Sequence, residues 1–434
     1  MHGNAFIDAA LARGAAAVVT DTPIDAAVPV VVVADVRAAY AVAAARYFAP
    51  QPAVAVAVTG TNGKTSVASY VRQIWQRAGI AAASLGTLGV ETAKGLTEGA
   101  LTTPDSLTLH RDLAELCAEG IDHVVLEASS HGLDQRRLDG MRFDAVAFNN
   151  LSRDHLDYHP DMESYRDAKL RLFSDLLKPG GAAVVNTDDA AATAFVAVAK
   201  RRGARLLTVG RSGTFFTVDE ISDEGYGQRV RARHDGRPIS FRLPLTGSFQ
   251  VGNALVAAAL AIGSGVEARA ALGAIETLRG AKGRLELAGE RNGAAIFVDY
   301  SHKPVALESA LASLRPYVRN RLVVVFGCGG DRDRGKRPIM GEVAVRMADK
   351  VIVTDDNPRT EDAAAIRAEV RAGAPGAIEI GDRREAIRTA VAGLAPGDVL
   401  LVAGKGHEDY QIVGTTKHHF SDHEEIAAAI AAAS

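Results

Sequence analysis

Apolar residues fall along this chain in two alternating registers. Short runs of small and β-branched residues recur at 54–59, 123–127, 145–149, 182–186 and 205–208, and apolar positions at helical spacing lie between them. Runs that are apolar throughout predict strands buried on both faces. Strands alternating with helices predict a mainly parallel sheet covered by helices. Between 215 and 243 the pattern shortens to alternating runs, such as 228–233 and 239–243, which predict antiparallel strands. Helices are expected at 249–262 and 268–278, and then a second alternation begins, with strands expected at 295–299, 322–326, 350–354 and 399–402. Upstream, 6–13 and 35–48 read as helices and 15–20 and 28–33 as strands, too little chain for a core of its own.

Two breaks punctuate this pattern: Ala49-Pro50-Gln51-Pro52, and the glycine-rich Arg279-Gly-Ala-Lys-Gly-Arg284, which also reads as a hinge. The expected organisation is an α/β protein of three domains. A small N-terminal α/β domain spans 1–52. A central P-loop-type domain over 53–283 carries a mainly parallel sheet with helices on both faces. A Rossmann-like α/β domain occupies 284–434.

Composition narrows the function. With 47% hydrophobic and 23% charged residues, the 434-residue chain has the make-up of a soluble globular protein. A net charge of −3 gives no general attraction to nucleic acid or anionic membrane. Cys117 and Cys328 are too few for a disulfide framework, so a reducing cytoplasm is expected. Membrane insertion is not expected, since no apolar run approaches the roughly 18–20 residues of a spanning helix. The N-terminus carries no basic flank leading into an apolar core, so no signal peptide is expected.

The most informative stretch is Val54-Ala-Val-Ala-Val-Thr-Gly-Thr-Asn-Gly-Lys-Thr-Ser66. A buried strand, a glycine turn, Lys-Thr and a helix expected over 67–77 form the arrangement that holds nucleotide phosphates. Gly60 and Gly63 let backbone N–H groups of Thr61, Asn62 and their neighbours turn inward. Lys64 reaches phosphate oxygens, and the Thr65 hydroxyl suits Mg²⁺. Val58 stands where the standard pattern has glycine, so an ordinary strand-to-helix turn is the alternative.

Ligands of an open parallel sheet sit at the carboxyl ends of its strands. In the central domain the other two polar ends are Glu127-Ala-Ser-Ser-His131 and Asn149-Asn150-Leu-Ser-Arg-Asp154-His155-Leu-Asp157-Tyr-His159. Glu127 and His155 are candidate Mg²⁺ ligands beside Thr65. The alternatives are a turn-capping role for Glu127, and a polar loop or a zinc cluster for 154–159. Lys169 lies on a helix expected over 162–177 and, by itself, reads as a solvated surface residue. The C-terminal domain ends its strands in Asp299-Tyr-Ser-His302, in Gly327-Cys-Gly-Gly-Asp331-Arg332, in Asp355-Asp356-Asn357-Pro358-Arg359 and in Gly404-Lys-Gly-His-Glu408. Loops dense in Arg, Asn and Glu suit an amphoteric ligand, because guanidinium forks clasp carboxylates and carboxylates take ammonium groups.

These motifs, together with Gly247-Ser-Phe-Gln-Val-Gly-Asn253 and Lys282-Gly-Arg284, resemble the Mur ligase family of peptidoglycan synthesis, in its diaminopimelate-adding branch. The resemblance runs from about His2 to the C-terminus. It implies ATP on Gly60, Thr61, Asn62, Gly63, Lys64, Thr65 and Ser66, with Asn253, Arg284, Asp299 and His302. It implies Mg²⁺ on Thr65, Glu127, His155 and Lys169, the last as a carbamate, and a catalytic set of Lys64, Asn150, His155 and Lys169. Thr102, Thr103, Ser129, Gln135 and Arg137 match residues that hold the nucleotide-sugar peptide, UDP-N-acetylmuramoyl-L-alanyl-D-glutamate. Arg332, Asp356, Asn357, Pro358, Arg359, Gly404 and Glu408 match the pocket for meso-diaminopimelate. The family's uridine-holding strands precede the matched region, so a partial first domain is expected, and Val305 stands where the family often has an acidic residue. The implied enzyme is a cytoplasmic monomer that makes an amide bond through an acyl phosphate. A lysine-adding ligase, a folylpolyglutamate synthase and a non-catalytic nucleotide-binding regulator are the alternatives.

Overall fold

A computed structural model describes residues 3–99 and 101–432, so His2, where the resemblance begins, lies outside the described residues. The chain forms two compact units. One comprises the chain up to Val218 with Arg233–Arg237 and Gly252–Ala274; the other comprises Asp219–Ala232, Pro238–Val251 and the chain from Ile275 onward.

In the first unit the strands Arg205–Gly210, Leu177–Asn186, Phe143–Phe148, Val54–Thr59, His123–Glu127 and Ala82–Gly86 lie side by side in that order, all parallel. The hairpin strands Gly89–Thr92 and Gly95–Thr97 continue the edge in antiparallel pairing. Val54–Thr59 is central, and its Val56, Ala57 and Val58 are wholly buried, as a run without polar alternation requires. Each buried Val contributes about 1.5–3 kcal/mol over an exposed one, so this strand is a rigid base for the loop it feeds. Val58 lies opposite both Glu127 and Ala147. That register brings the loops after three strands out level with one another.

The second unit has a sheet in the order Glu286–Arg291, Ala294–Asp299, Val399–Ala403, Leu322–Phe326, Lys350–Val353 and Ile378–Glu379. Only the first of these pairings is antiparallel. Asp299 faces Ala403, Val325 faces Val402 and Phe326 faces Val353, so here too the polar strand ends share one edge. Two apolar layers, one around Phe297, Leu311 and Met340 and one around Ile296, Ile387 and Ile426, cover the sheet.

Several elements depart from expectation. The helix expected over 162–177 is Met162–Ser174, started by the Asp161 carboxylate on Ser164 N–H at 2.7 Å and ended ahead of the strand that opens at Leu177. The helix after the glycine turn opens earlier than expected, at Lys64. The chain from 215 to 243 does form strands, Phe216–Glu224, Gly227–His234 and Arg237–Leu243, but Phe216 and Thr217 pair in parallel with Val209 and Gly210. Among the described residues no helix is long and apolar enough to cross a membrane.

Candidate active site

The glycine turn of the first unit is built by steric exclusion as much as by hydrogen bonding. Gly63 has φ +81°, and a Cβ there would stand 2.4 Å from Asn149 Nδ2 and 2.5 Å from Asn253 Oδ1. Those two atoms are themselves bonded at 2.9 Å, with both residues buried. Asn149 Nδ2 also donates to Asn62 C=O at 3.0 Å. Asn150 clamps the same loop: its Oδ1 accepts from Asn62 N–H at 2.8 Å, and its own C=O accepts from Thr61 N–H at 2.9 Å. Gly63→Ala is therefore expected to lower nucleotide affinity by at least ten-fold through backbone strain and displacement of both asparagines. Titration with a fluorescent ATP analogue measures this, and unchanged affinity would contradict the loop assignment.

Around this turn stand the side chains of the strand ends. The Thr65 hydroxyl donates to Glu127 Oε2 at 3.0 Å. Glu127, buried at 2% exposure, also accepts from Thr87 N–H at 2.8 Å and the Thr87 hydroxyl at 3.2 Å. Glu127 therefore does more than cap the next turn, where Ser129 takes the capping role through Gly132 N–H at 3.0 Å. Lys64 Nζ lies over the loop, on Gly60 C=O at 2.8 Å and Thr61 C=O at 3.0 Å.

Lys169 overturns its expectation as a surface residue: it is 1% exposed, with Nζ 3.0 Å from Gly60 C=O and 4.4 Å from the centre of the Tyr165 ring. Burial, and then the neighbouring Lys64 cation, lower its pKa well below that of an ordinary lysine. A desolvated, deprotonated amine is a nucleophile. His155 has φ +56° and sets its ring against His131, 4.9 Å between centres, and against Tyr165 at 5.9 Å.

The residues nominated for the peptide substrate meet in one network. The Thr103 hydroxyl donates to Glu127 C=O at 2.8 Å and lies 2.9 Å from Ser129 Oγ. Arg137 donates to Thr103 C=O and to Gln135 Oε1, each at 2.7 Å. Thr102 reaches Glu127 through Thr87, hydroxyl to hydroxyl at 3.0 Å. Thr87 was missed by sequence reasoning because the strand it follows, Ala82–Gly86, is Ala-Ala-Ser-Leu-Gly, which has little β propensity. Among the described residues no three His, Cys, Asp or Glu side chains form a metal group, so a zinc cluster at 154–159 is not supported.

In the second unit Asp299 is half-buried at the end of its strand; desolvation raises its pKa, and it accepts from Leu285 N–H at 2.7 Å and from the Ser301 hydroxyl. The Arg284 guanidinium lies over the Tyr300 ring at 4.6 Å, and His302 Nδ1 is 2.8 Å from Tyr300 C=O. The Asp356-Asn-Pro-Arg359 and Gly404–Glu408 loops lock together. Asn357 Nδ2 donates to Glu408 Oε2 at 3.0 Å, and Gln411 Nε2 donates to Asp356 C=O. Arg359, at φ +52°, donates from Nη1 to Gly330 C=O at 2.8 Å, and Gly330 N–H donates to Asn357 C=O at 2.9 Å. Burial and the nearby Asp356 carboxylate raise the pKa of Glu408. Gly404, at φ +115°, lies beside Asp356. Arg332 is exposed, with Nη1 on Asp331 C=O at 3.1 Å, so it stands at the rim of this edge.

A glycine turn between a buried strand and a helix, of the kind that takes nucleotide phosphates, and, in the other unit, a sheet edge dense in paired charges fit the class of nucleotide-dependent ligases with acidic or amphoteric substrates. The chain belongs to the Mur ligase family. It matches the Mur ligase middle domain over residues 58–261 and the Mur ligase glutamate ligase domain over residues 283–406. It is 55% identical over 430 residues to the UDP-N-acetylmuramoyl-L-alanyl-D-glutamate–2,6-diaminopimelate ligase of Agrobacterium fabrum, covering 99% of this chain and 88% of the relative. It is 56% identical over 434 residues to the enzyme of the same name from Bradyrhizobium diazoefficiens, covering 99% and 90%. A solved structure of a UDP-N-acetylmuramoyl-L-alanyl-D-glutamate–2,6-diaminopimelate ligase superposes with a TM-score of 0.74 at 37% identity, covering 99% of this chain and 89% of that one.

Proposed function

We propose that this protein adds meso-diaminopimelate to the D-glutamyl carboxylate of UDP-N-acetylmuramoyl-L-alanyl-D-glutamate at the expense of ATP, a step in making peptidoglycan precursor. The observation that carries the reading is the position of Glu127. Its carboxylate takes the Thr65 hydroxyl of the glycine turn while its backbone carbonyl takes the Thr103 hydroxyl of the acceptor network. Near-full-length likeness to ligases of that name supports the same substrates.

In this reading Gly60 to Ser66 cradle the ATP phosphates, Lys64 turns from the loop carbonyls to the β/γ oxygens, and Asn253 packs against the turn. The γ-carboxylate of the D-glutamyl residue attacks the γ-phosphorus, releasing ADP and leaving an acyl phosphate. The amine of diaminopimelate then attacks that carbonyl, loses its proton, and phosphate departs with the oxygen that was the carboxylate's. The protein's contribution is positioning and charge neutralisation.

Mg²⁺ supplies neutralisation for the phosphate oxygens. Thr65 and Glu127 fit a hard cation as adjacent oxygen donors, and His155 completes the proposed set. Lys169 fits only after reaction of its amine with CO₂, which releases a proton and yields a carbamate anion; the depressed pKa makes that amine available. Arg284, Asp299 and His302 are proposed for ATP, and the loops bearing Arg332, Asp356, Asn357, Pro358, Arg359, Gly404 and Glu408 for the diamino acid. The domain division at 52 and 283, a monomeric state and a cytoplasmic setting complete the proposal; both cysteines are free, as a reducing compartment allows.

The test is ATP-dependent phosphate release with the nucleotide dipeptide as acceptor, comparing meso-diaminopimelate with L-lysine. Release that depends on diaminopimelate and is weak with lysine is expected. Preference for lysine, or release indifferent to either amine, would overturn the substrate assignment.

A further inference from the structure

Lys405 is wholly buried, and its ammonium group is surrounded by acceptors. Nζ lies 3.2 Å from Asp356 Oδ1 and 3.8 Å from Glu408 Oε2, and donates to Asn357 Oδ1 at 3.0 Å and Tyr410 C=O at 2.6 Å. The residue is held from behind. Arg383, buried and neutralised by a two-point contact with Asp422 at 2.7 Å, donates to Ala403 C=O at 3.0 Å, at the end of the strand that leads into Gly404-Lys405. Neither Lys405 nor Arg383 has a part in the reaction derived above.

We propose that Lys405 is a specificity-determining positioning residue: its buried ammonium is the built-in counter-ion of Asp356 and Glu408, and it makes the pocket select a zwitterionic head over a bare ammonium. This rests on the proposed function. In formal charge Lys405 offsets one of the two carboxylates it contacts and Arg359, on the same loop as Asp356, offsets the other, so these four side chains sum to zero, which suits the distal end of diaminopimelate, itself a neutral pair of ammonium and carboxylate. Without Lys405 the same cluster carries one net negative charge, which suits the lone distal ammonium of lysine. Other charges around the loops shift the absolute potential but leave the sign of this difference unchanged. Lys405 also fixes the Asn357 amide, since Oδ1 faces Nζ and Ile412 N–H while Nδ2 faces Glu408.

The experiment measures kcat/KM for meso-diaminopimelate and for L-lysine, at alkaline pH to offset the raised pKa of Glu408. The ratio of the two is compared in the native chain, Lys405→Met and Lys405→Arg. Lys405→Met is expected to move the ratio toward lysine by about ten-fold or more, since a unit charge at this range in a protein interior outweighs that factor. Lys405→Arg is expected to hold the ratio. Glu408→Gln removes a negative charge and is expected to move the ratio the opposite way, which keeps the test decisive even if Lys405→Met does not fold. Equal losses for both amines in Lys405→Met, or a ratio unmoved in Glu408→Gln, would overturn the inference. If the native chain uses neither amine, the proposed function itself fails; if it uses diaminopimelate and the ratio stays fixed across variants, only this inference does.

Discussion

Lys169→Ala is expected to lower kcat by about 10²–10³-fold, the range seen when a pre-organised electrostatic contact to a transition state is removed. The protein is expected to stay folded. Lys169 Nζ contacts Gly60 C=O, and its ammonium form is disfavoured by burial, so truncation removes a costly group as well as a useful one. The distinctive part of the expectation is rescue. If the working form of the side chain is a carbamate, acetate or formate diffusing into the vacated space should restore part of the turnover, whereas methylamine should not. Steady-state rates with and without added carboxylate measure this, and full activity in unrescued Lys169→Ala would remove the carbamate from the mechanism.

Glu127→Gln is expected to be as damaging for a different reason. The buried carboxylate accepts three hydrogen bonds, from the Thr65 hydroxyl, Thr87 N–H and the Thr87 hydroxyl. An amide in its place keeps one acceptor oxygen, so either Thr87 N–H faces an NH₂ group or the Thr65 and Thr87 hydroxyls lose their shared acceptor and its charge. Loss of a buried charged partner costs about 2–5 kcal/mol, which corresponds to a fall in kcat/KM of roughly 30-fold to several thousand-fold. Because Glu127 joins the glycine turn to Thr87 and Thr103, the latter proposed for the acceptor substrate, KM for ATP and KM for the nucleotide dipeptide should both rise. A rise in only one would show that the two halves of the network act independently.

The strands were legible wherever burial on both faces writes an unbroken apolar run. Val54–Thr59, His123–Glu127 and Leu322–Phe326 have the boundaries expected of them. Ala82–Gly86 and the hairpin beyond it were not legible, because their small and polar residues carry no period, and Thr87 was lost with them. The burial of Lys169 was half-written. Tyr165, Ala168, Leu172 and Phe173 mark the inward face of the helix Met162–Ser174, and position 169 lies one turn from Tyr165 on that face. A lysine is ordinarily read as solvated wherever it falls, and only the resemblance to ligases with a carbamylated lysine pointed inward. Lys405 was hidden by its flanking glycines: the sequence shows a polar turn, and only the fold shows that Asp356, Asn357 and Glu408 close around it.

In the proposed reaction the acceptor carboxylate is activated by phosphorylation at the glycine turn before the amine attacks. Nucleotide dipeptide carrying oxygen-18 in its D-glutamyl γ-carboxylate, turned over with ATP and meso-diaminopimelate, tests it directly by mass analysis of the released phosphate. One heavy oxygen per phosphate is the predicted result. Phosphate free of label, with amide product still formed, would rule out the acyl phosphate.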